Sequence, residues 1–240
     1  MQIDNNIEAN KFENFLLRIG NGTENTIDND MICIPDNIVI DWNDEQSLQI
    51  LIEQVYPHLP INSQNNLYFT NKAILTTKNE YVNNINNTIL NQLPGEDITY
   101  RSFDSVLNDT RNLYEQEFLN SITMSEISPY KLRLKTNAPI ICLRNLDPTN
   151  SLCNSTKLTC RAFSPNVIEA EIITDNHQGK QDRQVGLYLP EHVFAHGQLY
   201  VAFSQVRSYQ NIKVLIKNGK IPGKQETYTR NIIYKEILCD

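Results

Sequence analysis

Hydrophobic residues recur at helical spacing in several places and as short extended runs elsewhere. Ile7, Phe12, Phe15, Leu16 and Ile19 are placed on one face of a helix that stops at Gly20-Asn21-Gly22, because glycine accommodates the left-handed residue that ends a helix. Residues 23–44 are polar around an extended run from Met31 to Ile40. Gln46 to Val55 then carries a second helical period, closed before Pro57. Lys72 to Asn79 reads as a strand, followed by a helix with Tyr81, Val82, Ile85, Ile89 and Leu93 on its apolar face. Asn79 is its expected N-cap and Glu80 lies in its first turn. This strand–turn–helix order belongs to α/β folds. Pro94-Gly95 ends the unit, and Tyr100 to Val106 resumes extended structure.

From Lys131 the pattern changes to four short strands: 131–135, 139–146, 157–163 and 167–174. Turn residues separate them at Thr136-Asn137, Asp147-Pro148 and Asn150 to Asn154. That spacing predicts a small barrel or curled sheet. Val185 to Pro190 is a buried strand. Phe194 to Val206 follows as a helix, with Phe194, Leu199, Val201, Ala202 and Val206 near helical spacing, and Asn211 to Ile216 is a last core strand. The tail from Lys217, with Lys220, Lys224, Lys235 and a Pro-Gly turn, reads as a partly ordered appendage.

The 240 residues, 40% of them hydrophobic, are enough for one large domain or two small ones with a real core. No apolar run reaches the roughly 18 residues that span a bilayer. The first ten residues are polar and acidic where a secretory signal is basic and then apolar, so an intracellular compartment is expected. Five cysteines without a Cys-x-x-Cys pair argue against a disulfide framework and a four-cysteine zinc site. Cys142, Cys153 and Cys160 are expected to be reduced core residues. The net charge of −7 is unevenly spread. Residues 1–130 carry 6 Lys and Arg against 19 Asp and Glu, and residues 131–240 carry 15 against 9. Lys131, Arg133, Lys135, Arg144, Lys157 and Arg161 are opposed between them only by Asp147. Such asymmetry fits a polyanion-binding face or a solvated basic face equally.

His192 and His196 stand four apart, one helical face, but without a third ligand or a suitably placed acid they are not a metal site. The chain holds no Gly-x-x-x-x-Gly-Lys-Ser/Thr phosphate loop and no Gly-x-Ser-x-Gly nucleophile elbow. Trp42, the single tryptophan, either anchors its loop on the core or offers a face to a base.

Three spaced blocks resemble one family, the PIF-type DNA helicases, which include the helicase part of Helitron transposons. In that family a strand ending in Tyr-Leu-Pro is followed by His-Gly-Gln-Leu-Tyr-Val-Ala-Leu-Ser-Arg-Val, and here His196 to Val206 is similar. Ala73 to Asn79 with Ile85-Asn86 resembles the strand and helix that begin the second RecA-like domain. Leu134-Lys135, Ala138 to Asp147 and Leu152 to Thr156 resemble the small barrel inserted in it, and Phe12 to Gly22 is similar to the segment leading out of the first motor domain. The resemblance covers most of residues 10–216 and implies an α/β fold: an incomplete second RecA-like domain with a small β-barrel insertion. It divides the chain into a lead-in at 1–70, the first part of that domain at 71–120, the barrel at 121–175, the last part of the domain at 176–216 and a tail at 217–240.

For an intact member the resemblance implies ATP-driven DNA unwinding with Mg²⁺, in repair, recombination or transposon replication, and in the nucleus. It assigns DNA contacts to Asn79, Lys135, Arg144, Asn145, Asn154, Thr156 and His196, and nucleotide contacts to Gln178, Gly179 and Tyr200. Gln205 stands where the family has the arginine that stabilises the transferred phosphate, and a neutral amide cannot replace a guanidinium. Residues 174–185 are shorter than the family's segment there, and Asn137 and Ser155 stand where the family favours Gly. This chain alone is therefore expected to use no ATP, Mg²⁺ or metal, and to retain single-stranded DNA as its partner. The rival expectation is a non-enzymatic interaction protein or an inactive transposon-derived product.

Overall fold

The computed structural model describes residues 2–28, 30–65, 67–103, 114–121, 130–173 and 183–237. They form two compact units, residues 1–86 with 175–240, and residues 87–174.

In the first unit, α1 (Gln2–Asn21) ends at Gly22, which takes φ 64°. Phe12, Phe15 and Ile19 are buried, whereas Ile7 is 49% exposed. At 100° per residue Ile7 lies about 110° round the helix from the middle of that buried face. β1 (Thr26–Ile27) pairs antiparallel with β2 (Met31–Ile34). β3 (Val39–Ile40) leads into α2 (Gln46–Val55), which matches its sequence-derived limits, and a single turn, α3 (Leu59–Asn62), follows. Next come β4 (Lys72–Leu75) and α4 (Asn79–Gln92). The Val82 N–H donates to the Lys78 carbonyl at 3.2 Å, so the cap lies one residue before Asn79.

The second unit pairs β5 (Ile98–Arg101) antiparallel with β6 (Lys131–Leu134), with the short α5 (Gln116–Ser121) between them in sequence. β7 (Pro139–Ile141), β8 (Lys157–Ser164) and β9 (Val167–Ile172) form an antiparallel sheet in that order. Tyr100 links the two sheets, its hydroxyl donating to the Ser164 carbonyl at 2.7 Å and the Val167 carbonyl at 3.0 Å. Cys160 is buried and Cys142 and Cys153 half-buried, all as free thiols. Asn137 and Ser155 both take left-handed backbone, φ 67° and 71°, at the turns where their side chains departed from the resembled pattern.

Back in the first unit, β10 (Gln184–Leu189), α6 (Gln198–Phe203) and β11 (Ile212–Ile216) complete a sheet of order β3-β11-β10-β4, parallel throughout. Period-two alternation splits its strands between two cores. Val185, Leu187, Leu189, Ile212, Val214 and Ile216 join α1 and α6 on one side. Gly186 faces Leu51 and Val55 of α2 on the other.

The helix expected from Phe194 to Val206 is reduced to six residues. Gly197 takes φ 67°, and the Gln198 side-chain oxygen folds back to accept from the Phe194 and Ala195 N–H groups, leaving Phe194 59% exposed. His192 and His196 therefore precede the helix and do not share a helical face. The tail is not an appendage. β12 (Thr227–Arg230) pairs antiparallel with β2, and Thr227, Tyr228, Thr229 and Asn231 are buried. The Asn231 amide donates to the Ile19 carbonyl at 2.9 Å, satisfying an acceptor in the last turn of α1.

Candidate nucleic-acid interface

In an open parallel sheet, ligands bind beyond the carboxyl ends of the strands, where neighbouring connections leave to opposite faces. Here β3 runs into α2 on one face, and β10 runs into α6 on the other. Residues just past the strand ends make up this edge: Asp41 and Trp42 after β3, Lys78 and Tyr81 after β4, Pro190 and Glu191 after β10, Lys217 and Asn218 after β11. A cleft of about 430 Å³ opens there. Leu48 of α2 and Tyr81, Asn84 and Ile85 of α4 form its sides. Tyr188, Glu191, Lys217 and Glu45 complete it.

Each lysine of the edge has a carboxylate partner from another segment. Lys217 Nζ lies 2.8 Å from Glu45 Oε1 and 4.9 Å above the Trp42 ring. Lys220 Nζ lies 2.9 Å from Asp41 Oδ1. Lys78 pairs with Glu191, which also accepts from the Tyr81 hydroxyl at 2.7 Å. These bonds hold the Glu191 carboxyl below its usual pKa, Lys78 first and Tyr81 next, and the bond to Glu45 raises the Lys217 ammonium above its own. Exposed pairs of this kind are screened by solvent and hold weakly, so a competing anion exchanges them readily. Trp42 stacks on Tyr188 with centroids 6.3 Å apart and planes at 22°, so it anchors its loop to β10.

In the second unit, the chain from Cys142 to Thr156 is closed at its base by Ser155 N–H to Cys142 O, 2.7 Å, and Cys142 N–H to Thr156 O, 2.9 Å. Within it the Asn145 side-chain oxygen accepts from the Asn154 N–H at 2.8 Å, and the Thr156 hydroxyl donates to the Ser151 carbonyl at 2.9 Å. Arg144, Asn145, Asn154 and Thr156 are thereby gathered on one ordered loop pair, the first three exposed. Lys135 does not join them. It is 8% exposed, its ammonium donating to the Leu93 carbonyl at 2.8 Å with Asp97 at 3.8 Å, so that charge is spent inside the unit. Two more cations of the expected basic patch are also engaged locally: Arg133 with Asp97, 2.5 Å, and Arg161 with Glu171, 2.7 Å.

Asn79 is exposed at the start of α4. His196 stacks on Tyr234 at 5.3 Å and accepts from its N–H at 2.9 Å. Gln205 accepts from Arg183 at 3.2 Å and donates to the Val201 carbonyl at 3.2 Å, and Tyr200 covers Gly20. Gln178 and Gly179 lie outside the described residues. A neutral amide at Gln205 and a tyrosine at 200 bring neither a positive charge for a triphosphate nor a carboxylate for Mg²⁺. Among the described residues no group of three or more His, Cys, Asp or Glu is placed to hold a metal ion. Sequence reasoning missed Lys78, Glu45, Glu191 and Lys217. The available signal was position, since each follows a strand or opens the next helix.

Residues 117–163 match the family model described as DNA helicase Pif1, 2B domain. No curated protein matches the chain. The solved structure of Pif1 helicase from Candida albicans is similar over 86% of this chain and 53% of its own, at 16% identity and a TM-score of 0.51. A structure of two coordinating Pif1 helicases unwinding forked double-stranded DNA matches over 85% and 46%, at 17% identity and a TM-score of 0.49. Bacteroides Pif1 bound to single-stranded DNA matches over 85% and 48%, at 16% identity and a TM-score of 0.44. The chain thus spans about half the length of the solved relatives it matches. It shares the fold of that part of the Pif1-type helicases.

Proposed function

We propose that this chain is the second-motor-domain part of a PIF-type DNA helicase, the second unit being its small barrel insertion. By itself it binds single-stranded DNA and does not turn over ATP. The observation that carries the binding is the carboxyl edge of the parallel sheet, where Lys78, Lys217 and Lys220 stand in a row of exchangeable ion pairs beside exposed Asn79. Arg144, Asn145 and Asn154 offer a second set of phosphate and base contacts on the other unit. The lack of turnover is argued from the missing phosphate loop and from Gln205, which brings no charge to a developing phosphate.

Anisotropy of a labelled 20-nucleotide single strand, measured across a salt series with phosphate release in parallel, tests both halves. The expected result is binding whose logarithm falls by about 0.7 per phosphate contact for each decade of salt, with no release above background. Salt-independent binding or none removes the first half, and DNA-stimulated phosphate release removes the second. Exposed Ile141, Leu143 and Leu146 of the second unit favour a protein-interaction module as the second reading.

A further inference from the structure

We infer that the cleft between α2 and α4 holds one unstacked base of the bound strand and selects bases that carry an exocyclic amine. This rests on the single-strand reading above. At about 430 Å³ the cleft has the size of a site for one small ligand rather than a stacked run. Half-buried Tyr81 and Leu48 supply an aromatic and an apolar wall, with Tyr188 and Ile85 buried behind them, and every base has a π-face to lay on Tyr81. Glu45 and Glu191, which only accept hydrogen bonds when ionised, reach it from different segments.

In the free protein those carboxylates are occupied by Lys217 and by Lys78 with Tyr81. A strand brings both missing partners at once. Its phosphates take the two ammonium groups, and the released carboxylates accept from an exocyclic amine, as a carboxylate does from cytosine N4. Each ammonium passes from a carboxylate to a phosphate, and the two carboxylates exchange their ammonium partners for the two N–H donors of one neutral amine. Thymine presents a carbonyl oxygen where cytosine has its amine, and a carboxylate repels it.

Trp42 is the only tryptophan in the chain and stacks on Tyr188, so its emission reports on the cleft. The experiment titrates the full chain with dCMP and with TMP, then with 12-nucleotide dC and dT strands, following Trp42 emission and anisotropy together. Wild type is expected to change its Trp42 emission on adding dCMP, with dC bound about tenfold tighter than dT. The double variant E45Q/E191Q frees Lys78 and Lys217 and offers amide N–H donors to thymine, so it is expected to bind dT at least as tightly as wild type and to lose the preference for dC. If the dC strand binds by anisotropy while Trp42 is silent, or if dC and dT bind alike in wild type, or if the preference survives in the double variant, the base pocket is wrong and single-strand binding stands. If neither strand binds, both fall.

Discussion

The ring of Tyr200 lies against the bare α-carbon of Gly20, so close that a Cβ on Gly20 would stand 2.9 Å from Cδ2 and 3.0 Å from Cε2. A residue that the family resemblance gives to nucleotide is thus packed on α1. The contact predicts coupling. Gly20→Ala is expected to destabilise more when Tyr200 is present than in a Tyr200→Ala background, by about 0.5 kcal/mol or more. A double-mutant cycle in urea measures it, and additive effects would show the ring swings aside freely.

Gly186 in the middle of β10 sits under α2, where a Cβ would meet Val55 Cγ2 at 2.9 Å, Leu51 Cδ1 at 3.1 Å and Ile74 Cγ1 at 3.2 Å. All three belong to packed helix or strand, so the helix itself has to lift. Gly186→Ala is expected to cost about 1–3 kcal/mol, read from the urea midpoint at constant slope.

The two left-handed turns of the second unit respond oppositely to glycine. Ser155 at φ 71° bears the strain of an L side chain there, and Ser155→Gly is expected to stabilise by about 1 kcal/mol. Asn137 at φ 67° accepts from Arg161 Nη1 at 2.6 Å, and Asn137→Gly loses that bond while easing the backbone, for a change near zero or a small loss. Denaturation monitored by the far-ultraviolet signal distinguishes them, and equal effects would show that the Arg161 contact is idle.

His192 is half-buried with Nδ1 3.2 Å from the Thr229 hydroxyl, and burial first, then nearby Arg230, pushes its pKa below the ordinary value. A folded pKa below the unfolded one means the unfolded chain takes the proton first. Stability is therefore whole above about pH 6.5 and falls as the pH drops from there towards the depressed folded value. Melting temperatures from pH 7.5 to 5.5 are expected to fall less for His192→Gln than for wild type. Parallel curves would remove His192 as a cause.

Much of the scaffold was legible because its signals are local. α2 follows from apolar spacing and Pro57, and β10 and β11 from short apolar runs. What escaped depends on partners far away in the chain. Thr227 to Arg230 has only four residues and no period of its own, and becomes a strand because β2 presents an open edge. The basic patch at 131–161 looked stronger than it is, since Asp97 and Glu171, which engage Arg133 and Arg161, lie outside that window. The cleft was invisible for the same reason: Glu45, Tyr81, Glu191 and Lys217 converge only through the parallel register of β3, β11, β10 and β4.

The bond from Asn231 to the Ile19 carbonyl spans 212 positions, and β12 pairs with a strand made almost two hundred residues earlier. Loop closure over such distances is slow and nothing rewards it until the far partner exists. During synthesis, therefore, the contiguous stretch 87–174 has all its strand partners while β4 still waits for β10 and β2 for β12. The first unit is the one exposed to mispairing on the ribosome, with open strand edges as the hazard.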